Sequence, residues 1–127
     1  MRGPIRAPGG YLGTTSSVIS VQEAIDRLGL ECLAHGAQQQ VLGGYTSDLL
    51  SDVIAGAEEG TLWITVQRHL NIVAVAQLKK VAGIVLTKGA EPDPQVVEKA
   101  REEGIYLFRT PLSAFEISGK LYQLLHR

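Results

Sequence analysis

The sequence predicts an α/β domain with a largely parallel sheet and helices on both faces of that sheet. From residue 39 onward, short β-branched or apolar runs alternate with helical patterns in the order β-α-β-α-β-α-β-α. Such alternation is typical of parallel sheets that helices cover. The chain has 127 residues, of which 45% are hydrophobic, and this size is enough for one buried core. We therefore expect a single domain over residues 18–127.

The first regular element is expected to be a helix that begins after Ser20. Residues 1–17 combine four glycines with two prolines and show no helical or alternating period, so we interpret them as a flexible N-terminal arm. Ser20 and Glu23 have the spacing of a capping box, and apolar residues recur at helical intervals after them. Gly29 suits the left-handed residue that commonly ends a helix.

Two short strands and a second helix are expected next. Residues 30–35 and 39–42 have the composition of strands, and the few residues between them favour a hairpin over a helical crossover. Thr46 or Ser47 is then expected to cap a helix whose apolar stripe ends at Gly60.

The following part of the chain contains one ambiguous segment between two predicted strands. Residues 61–66 and 82–86 have β-branched and apolar strand composition. Residues 71–80 combine β-branched residues, which favour a strand, with alanines and terminal lysines, which suit a buried helix. We choose the helix, because parallel neighbours need a crossover of about a dozen residues.

A fourth helix, a last strand and a final helix complete the predicted order. Asp93 as cap and Pro94 at the first helical position open the fourth helix. The last strand is expected over residues 105–108. Ser113 and Glu116 then have the spacing of a second capping box, which opens the final helix.

Composition argues against several classes of protein. The net charge is −1 and 20% of the residues are charged, so no strong attraction to nucleic acid or to anionic lipid is expected. Cys32 is the only cysteine, which excludes an intrachain disulfide and suits a reducing compartment. No signal peptide and no apolar run of about 18 residues is seen. We therefore expect a cytoplasmic protein without a membrane or nucleic-acid partner.

No motif for catalysis, a cofactor or a metal is found. The sequence has neither the phosphate-binding loop nor the dinucleotide-binding glycine pattern. His35, His69 and His126 lack the spacing of metal ligands. Cys32 falls in the middle of a predicted strand, where a free thiol usually acts as a small hydrophobic residue. We expect no catalytic residue, no cofactor and no metal.

The segment Gly43-Gly44-Tyr45-Thr46 has two interpretations. It follows one predicted strand and opens one predicted helix, so its amides are placed to hold an anion at the positive helix end. Alternatively, the glycines only form a tight turn from the strand to the helix, with Thr46 or Ser47 as its cap.

Polar residues gather where the predicted strands end. In an open α/β sheet the carboxyl ends of the strands form the edge at which ligands bind. Arg68, Lys88 and Arg109 are expected to make this edge locally cationic, although ordinary solvated loops would have a similar composition. The candidate ligand-binding residues are Gly43, Gly44, Tyr45, Gln67, Arg68, His69, Asn71, Thr87, Lys88, Gly89 and Thr110.

At these residues the sequence resembles the DRTGG domain, a regulatory module related to the N-terminal domain of the HPr serine kinase and phosphorylase. The resemblance covers residues 38–125. The family motif places Asp-Arg after one strand and Thr-Gly-Gly after the next strand. Here Gln67-Arg68 and Thr87-Lys88-Gly89 take those places, so the Arg, the Thr and the last Gly match. The segments 43–53, 91–107 and 110–116 are also similar to short, single-domain members of the family.

The resemblance implies a three-layer α/β/α sandwich with a mostly parallel central sheet of about five strands, as in the HPr kinase N-terminal domain. It also implies a tendency to homodimerise and a regulatory or assembly role. The kinase portion, with its phosphate loop, is absent. Two departures affect any ligand: Gln67 removes the carboxylate of the family motif, and Lys88 adds positive charge where the motif has a glycine. An anionic ligand suits this version of the motif.

Three hypotheses of function follow. The first is a non-catalytic regulatory module that homodimerises and binds a small anionic metabolite or nucleotide at the strand-end loops. The second is a structural adaptor that recognises a protein partner and has no small-molecule ligand. The third, an enzyme, is the least favoured, because no nucleophile, base and orienting group share a recognisable pattern.

Overall fold

The computed structural model of the protein describes residues 18–127. The predicted arm over residues 1–17 lies outside this part. No helix of the described part is long and apolar enough to cross a membrane. The strands are β1 (Ile19–Ser20), β2 (Glu31–Ala34), β3 (Gln40–Val41), β4 (Gly43–Thr46), β5 (Thr61–Thr65), β6 (Gly83–Leu86) and β7 (Leu107–Arg109). The helices are α1 (Val21–Leu28), α2 (Leu50–Gly56), α3 (Asn71–Lys79), α4 (Pro94–Glu102) and α5 (Ala114–Leu125).

Five strands form the central sheet in the order β2-β7-β6-β5-β4. Neighbours from β4 to β7 are parallel, and β2 is antiparallel to β7 at one edge. Strands β1 and β3 form a separate antiparallel pair. The predicted α/β class and the mostly parallel sheet of about five strands are therefore confirmed.

Alternating side chains of the strands enter two cores, one on each face of the sheet. Leu62 and Ile64 of β5 pack with apolar residues of α1 and α5. Trp63, between them, lies in the other core with apolar residues of α2, α3 and α4. Each side chain of this size stabilises the fold by about 1.5–3 kcal/mol when it is fully buried. The helices thus cover both faces, as in a three-layer sandwich.

The predicted helix starts are confirmed at Ser20 and at Ser113, and Ser113 forms the complete capping box. The Ser20 hydroxyl accepts a hydrogen bond of 2.9 Å from the Glu23 amide before α1, and Gly29 ends that helix with φ of 64°. At α5, the Ser113 hydroxyl accepts from the Glu116 amide and the Glu116 carboxylate accepts from the Ser113 amide. Both helices begin where their sequence satisfies the first free amides.

The ambiguous segment 71–80 is a helix, as predicted. Helix α3 runs over Asn71–Lys79 and connects the parallel strands β5 and β6. Asp93 and Pro94 open α4, also as predicted. The last strand starts at Leu107, two residues later than its predicted position at 105.

The predicted hairpin between β2 and β3 is wrong. Strand β2 pairs with β7, with Glu31 opposite Arg109, and β3 pairs with β1. Gly36, in the connection between β2 and β3, explains part of this difference. A Cβ atom on Gly36 would lie 2.4 Å from the Tyr106 amide nitrogen, so the glycine allows the connection to pack against the chain that enters β7.

The predicted turn at Gly43-Gly44-Tyr45-Thr46 is also wrong, because these residues form the strand β4. Gly43 lies opposite Thr61 and Thr46 lies opposite Ile64 in the parallel pair with β5. A Cβ atom on Gly44 would lie 2.7 Å from Leu121 Cδ2 of α5. The glycine therefore serves a close approach between helix and strand. Helix α2 begins only at Leu50, without the predicted Thr or Ser cap, and ends at Gly56 rather than at Gly60.

Candidate functional site

Four parallel strands end at the same edge of the sheet, which we call the carboxyl edge. It comprises the loops 47–49, 66–70, 87–93 and 110–113, which follow β4, β5, β6 and β7. A buried threonine lies at the end of three neighbouring strands: Thr65, Thr87 and Thr110 are 1%, 2% and 1% exposed. Buried hydroxyl groups need hydrogen-bond partners. Polar groups therefore extend from the loops that meet here into the buried interior of the domain.

Asp48, after β4, fixes the loop after β5. Its Oδ1 atom accepts hydrogen bonds of 2.8 Å from the Thr65 hydroxyl and 2.8 Å from the Val66 amide. Gln67 completes this network, because its side-chain amide donates to the Asp48 carbonyl at 2.9 Å and its backbone amide donates to the Thr65 hydroxyl at 3.1 Å. The side chain of Gln67 is thus bonded to the neighbouring loop.

Thr87 and Thr110 differ in their partners. The Thr110 hydroxyl accepts from the Leu112 amide at 3.2 Å. The Thr87 amide donates to the Thr65 carbonyl at 3.1 Å, whereas its hydroxyl has no hydrogen-bond partner within residues 18–127. A buried hydroxyl without a partner costs about 1–3 kcal/mol. The Thr87 hydroxyl is therefore a buried polar group of the carboxyl edge that no group of the described residues satisfies.

Lys88 and Gly89 both have left-handed backbone conformations, with φ of 57° and 65°. The amides of Lys88 and Gly89 donate to the carbonyls of Leu112 and Thr110 at 2.8 Å each, so the turn is bonded to the loop after β7. Neither amide is free for an anion. The left-handed region costs a non-glycine residue roughly 1 kcal/mol or more. The Lys88 side chain is exposed at the top of this turn.

The loop after β5 is connected to the loop after β6 by three contacts. Arg68 Nη1 donates to the Glu91 carbonyl at 3.4 Å, and the Asp93 amide donates to the Arg68 carbonyl at 3.4 Å. His69 Nδ1 lies 3.3 Å from Asp93 Oδ2. Asn71 begins α3, whose first turn has no side-chain cap. The Ile72 and Val73 amides of that turn donate to the His69 and Leu70 carbonyls at 3.1 Å each, so these two amides are not available for an anion.

Arg109 does not contribute free positive charge to the carboxyl edge. Its guanidinium donates two hydrogen bonds of 3.0 Å to the Glu31 carboxylate and a further one to the Glu91 carboxylate. These hydrogen bonds, to Glu31 first and then to Glu91, raise the pKa of Arg109. The prediction that Arg109 adds to a cationic edge is therefore wrong, because two carboxylates neutralise it.

The remaining positive charge is confined to two residues. Arg68 and Lys88 are exposed and have no carboxylate partner in the described part of the chain. This region contains three cations and four carboxylates. The cations are Arg68, Lys88 and Arg109, and the carboxylates are Glu31, Asp48, Glu91 and Asp93. The carboxyl edge as a whole is therefore not cationic, and its positive charge without a carboxylate partner in the described part is at Arg68 and Lys88.

Comparison with known proteins agrees with this architecture. The DRTGG domain family matches residues 28–124. The chain belongs to this family. Its fold is similar to that of the CBS and DRTGG domains of the regulatory region of Clostridium perfringens pyrophosphatase, whose crystal structure holds the activator diadenosine tetraphosphate. The TM-score is 0.65 at 22% identity, and the match covers 84% of this chain and 47% of that one.

This DRTGG domain therefore spans about half the length of the pyrophosphatase chain that it matches. No curated protein matches it. The motif positions Gln67-Arg68 and Thr87-Lys88-Gly89 lie side by side. They follow the parallel neighbours β5 and β6, whose last residues, Thr65 and Leu86, lie opposite each other. The two halves of the motif thus form one continuous surface at the carboxyl edge.

Three of the predicted site residues of the DRTGG domain lie elsewhere. Gly43 and Gly44 stand at the start of β4, about 10 Å from its carboxyl end at 3.3 Å per residue, and line a cleft of about 310 Å³ between β4 and α5. The Tyr45 hydroxyl donates to Asp52 Oδ2 at 3.1 Å. Burial, and secondarily Asp52, raises the pKa of Tyr45. The structure brings together the other predicted residues: Gln67, Arg68, His69, Asn71, Thr87, Lys88, Gly89 and Thr110.

Metal-binding side chains are not gathered in the described part of the DRTGG domain. Within residues 18–127, no group of three or more His, Cys, Asp or Glu side chains is placed to hold a metal ion. Cys32 is half-buried in β2, and this burial raises the pKa of its thiol, which disfavours the nucleophilic thiolate.

Sequence reasoning missed Asp48 and Thr65. Both are needed to hold the Gln67 loop, but Asp48 follows a strand that the sequence does not reveal. Thr65 has no signal in the sequence beyond that of a β-branched strand residue. A carboxylate shortly after a strand can accept amides of the neighbouring loop, but this signal can be used for Asp48 only once the strand before it is known.

Proposed function

We propose that this protein is a non-catalytic regulatory module that binds a small anionic metabolite or nucleotide at the carboxyl edge and acts as a homodimer in the cytoplasm. One observation carries the proposal of an anionic ligand. Arg68 and Lys88 follow adjacent parallel strands, and neither contacts a carboxylate within residues 18–127. Two such cations on neighbouring loops favour a ligand with negative charge.

Further groups at the same place suit an anion. The Asn71 amide at the first position of α3 supplies one donor, and the helix adds the positive end of its dipole. The buried Thr87 hydroxyl supplies one more donor or acceptor. Glu91 and Asp93 border the region, and their carboxylates repel any part of an anionic ligand that extends past Arg68 and Lys88. We therefore expect one phosphate or carboxylate group to be held, rather than an extended polyanion.

The similarity to the pyrophosphatase regulatory region supports a nucleotide as one class of ligand. That region is complexed with its activator, diadenosine tetraphosphate. A nucleotide carries phosphate groups of the kind that Arg68 and Lys88 would bind. Nucleotides thus belong first in any ligand screen, followed by phosphorylated metabolites.

A thermal-shift screen of nucleotides and phosphorylated metabolites tests this proposal. A ligand at a hundred times its Kd stabilises the fold by about 2.7 kcal/mol, which is easily measured. Arg68→Ala and Lys88→Ala should each reduce the shift. Arg101→Ala is the matched control, since Arg101 is an exposed cation on α4. A shift that both site variants retain would place the ligand elsewhere, and a screen without any shift would remove the proposal.

Exposed apolar side chains on α2, on α3 and at the residue before α3 support the proposed homodimer. Ile54, Leu70 and Leu78 are 42%, 43% and 65% exposed, while the opposite side of α3 is buried in the core. A helix that is apolar on most of its surface is usually covered on all sides. We assign this cover to a second copy of the chain. Light scattering should give a dimer mass, Leu78→Glu should give a monomer, and Phe115→Glu, at an exposed site on α5, should remain dimeric.

A structural adaptor is the second candidate, and one observation favours it. Strand β4 is an edge strand without charged residues, and the cleft between β4 and α5 lies beside it. Uncharged sheet edges are suited to pairing with another strand. A protein partner that co-purifies stoichiometrically and is retained by the Arg68→Ala and Lys88→Ala variants would favour this candidate over the small-ligand proposal.

A further inference from the structure

A second concentration of positive charge lies between α1 and α5, away from the carboxyl edge. A cleft of about 280 Å³ opens there, and each charged residue among those that line it is a cation. The lining residues are Arg27, Leu28, Lys120, Gln123, Leu124 and Arg127. In a chain with a net charge of −1, three cations in one cleft form a distinct electrostatic feature.

One carboxylate stands behind these cations and positions two of them. Glu23 Oε2 accepts a hydrogen bond of 2.6 Å from Arg127 Nη2 and lies 3.9 Å from Arg27 Nη1. Lys120 forms no ion pair in the described part of the chain. Glu116, one turn earlier in α5, attracts the Lys120 ammonium through space without contacting it. Counting Glu23, the carboxylate in direct contact with the cations, the cleft keeps an excess of two positive charges, of which Glu116 offsets part at Lys120. Cations that face one another without enough carboxylates repel, and an anion between them relieves this repulsion.

The base and wall of the cleft can hold the uncharged part of a ligand. Leu28 and Leu124 are each 7% exposed. Packing holds both side chains in place, and their exposed atoms provide a fixed apolar surface. The Gln123 amide adds one donor and one acceptor. A small number of polar groups above an apolar base is the usual composition of a small-molecule site.

This cleft and the carboxyl edge lie at opposite ends of the sheet. Helix α5 begins directly after the carboxyl-edge loop 110–113 and runs back along the sheet for 12 residues, about 18 Å at the rise of an α-helix. Lys120 and Arg127 lie in its second half and just beyond its end. A ligand in the α1–α5 cleft would accordingly not touch Arg68 or Lys88.

We propose that the α1–α5 cleft is a separate binding site for a small ligand with at least two negative charges, of the phosphate-ester class. Arg27, Lys120 and Arg127 bind the charged group, and Leu28 and Leu124 contact the body of the ligand. The proposal does not depend on the carboxyl-edge site.

Calorimetric titration with inorganic pyrophosphate tests this proposal on the full chain at low salt. Each charge-assisted hydrogen bond contributes enough that its loss weakens binding by about tenfold or more. Lys120→Gln and Arg27→Gln should therefore each raise the Kd by about tenfold. Arg101→Gln is the control for a general loss of one positive charge. Circular dichroism confirms that each variant is folded.

Three results would overturn the proposal. Pyrophosphate binding would be absent, or Lys120→Gln and Arg27→Gln would bind as tightly as the unchanged protein, or Arg101→Gln would weaken binding to the same extent. Arg68→Gln separates this site from the carboxyl edge. If it removes all pyrophosphate binding, the ligand lies at the carboxyl edge; if it leaves the binding unchanged while Lys120→Gln weakens it, the α1–α5 cleft is the site.

Discussion

Arg109 and Glu31 lie directly opposite each other in the antiparallel β7–β2 pair and are joined by two hydrogen bonds of 3.0 Å. Glu91 contacts the same guanidinium from the loop after β6. Arg109 thereby connects the edge strand β2 to the carboxyl edge. Its position also explains why a cation expected to bind a ligand is instead part of the scaffold of the domain.

Removal of Arg109 should destabilise the domain. Arg109→Leu leaves two carboxylates close together without their shared cation, and we expect the thermal midpoint to fall by about 2–5 °C. Arg101→Leu is the control, because its partner Glu98 is 3.9 Å away on the exposed surface of α4. Thermal unfolding followed by circular dichroism measures both. Equal losses in the two variants would contradict a structural role for Arg109.

Lys88→Gly should separate stability from ligand binding. Glycine adopts the φ of 57° at this position without strain. The strain energy removed from the folded state exceeds the free energy lost through the added entropy of the unfolded chain by about 0.5–1 kcal/mol. The same change removes a cation from the proposed anion site. We therefore expect a higher thermal midpoint together with weaker anion binding. Lys88→Ala removes the charge but keeps the strain, so it should weaken binding without raising the midpoint.

Gly36→Ala should be among the more damaging single changes in the described part. A Cβ atom would lie 2.4 Å from the Tyr106 amide nitrogen and 2.8 Å from the Gly104 carbonyl oxygen, and backbone atoms cannot move aside as a side chain does. We expect a loss of about 1–3 kcal/mol in the free energy of unfolding. Gly119→Ala is the control, since a Cβ atom there would meet nothing within 4 Å beyond the backbone of its own helix. Chemical denaturation of both variants measures the difference.

The helices are more predictable from the sequence than the strand pairing. Capping boxes and the need for a crossover before β6 are local signals, and they locate α1, α3 and α5 correctly. The β2–β7 pair joins Glu31 to Arg109 across 78 positions of the chain, and no local pattern specifies such a pairing. Strand β4 is missed because Gly43 and Gly44 have low strand propensity; their role depends on Leu121 of α5, which is distant in sequence.

The candidate site is predictable in location but not in its electrostatics. The loops after β5 and β6 are expected to meet because parallel neighbours end at one edge, and they do. The charge balance depends on carboxylates brought from elsewhere in the chain. Glu31 neutralises Arg109 across the sheet, and Asp48 holds the Gln67 loop from the neighbouring strand. Both partners become visible only when the strand order is known.

Acidification should weaken the start of α5. Hydrogen bonds from the backbone amide of Ser113, and secondarily from its side chain, lower the pKa of Glu116 below its usual 4.5. A carboxyl group with a lowered folded-state pKa contributes stability that is complete above the unfolded value and is lost as the pH falls through the folded value.

Glu116→Gln should therefore lower the thermal midpoint by about 2–4 °C at neutral pH. This difference from the unchanged protein should shrink once the pH falls below 4.5. Glu102→Gln, on the exposed surface of α4, is the control and should show no such trend. A difference that stays constant down to about pH 3, below the usual range of a carboxyl group, would contradict the role of the Glu116 charge in the capping box.

Asp48 should be essential for the shape of the carboxyl edge. Asp48→Ala leaves the Thr65 hydroxyl, which is 1% exposed, without its acceptor and frees the Val66 amide. We expect a loss of about 1–3 kcal/mol. Trp63 provides the measurement, because its indole donates to the Ser47 carbonyl at 2.9 Å beside this network and its fluorescence reports unfolding in urea.

Asp48→Asn is the matched control, since its side-chain carbonyl oxygen can still accept both hydrogen bonds. It should lose much less stability than Asp48→Ala. Because Asp48→Ala removes the acceptor of the Thr65 hydroxyl and the Val66 amide, it should loosen the loop that carries Arg68 and weaken anion binding even though it removes a negative charge. Tighter anion binding in Asp48→Ala would mean that charge, rather than the geometry of the loop, determines affinity at this edge.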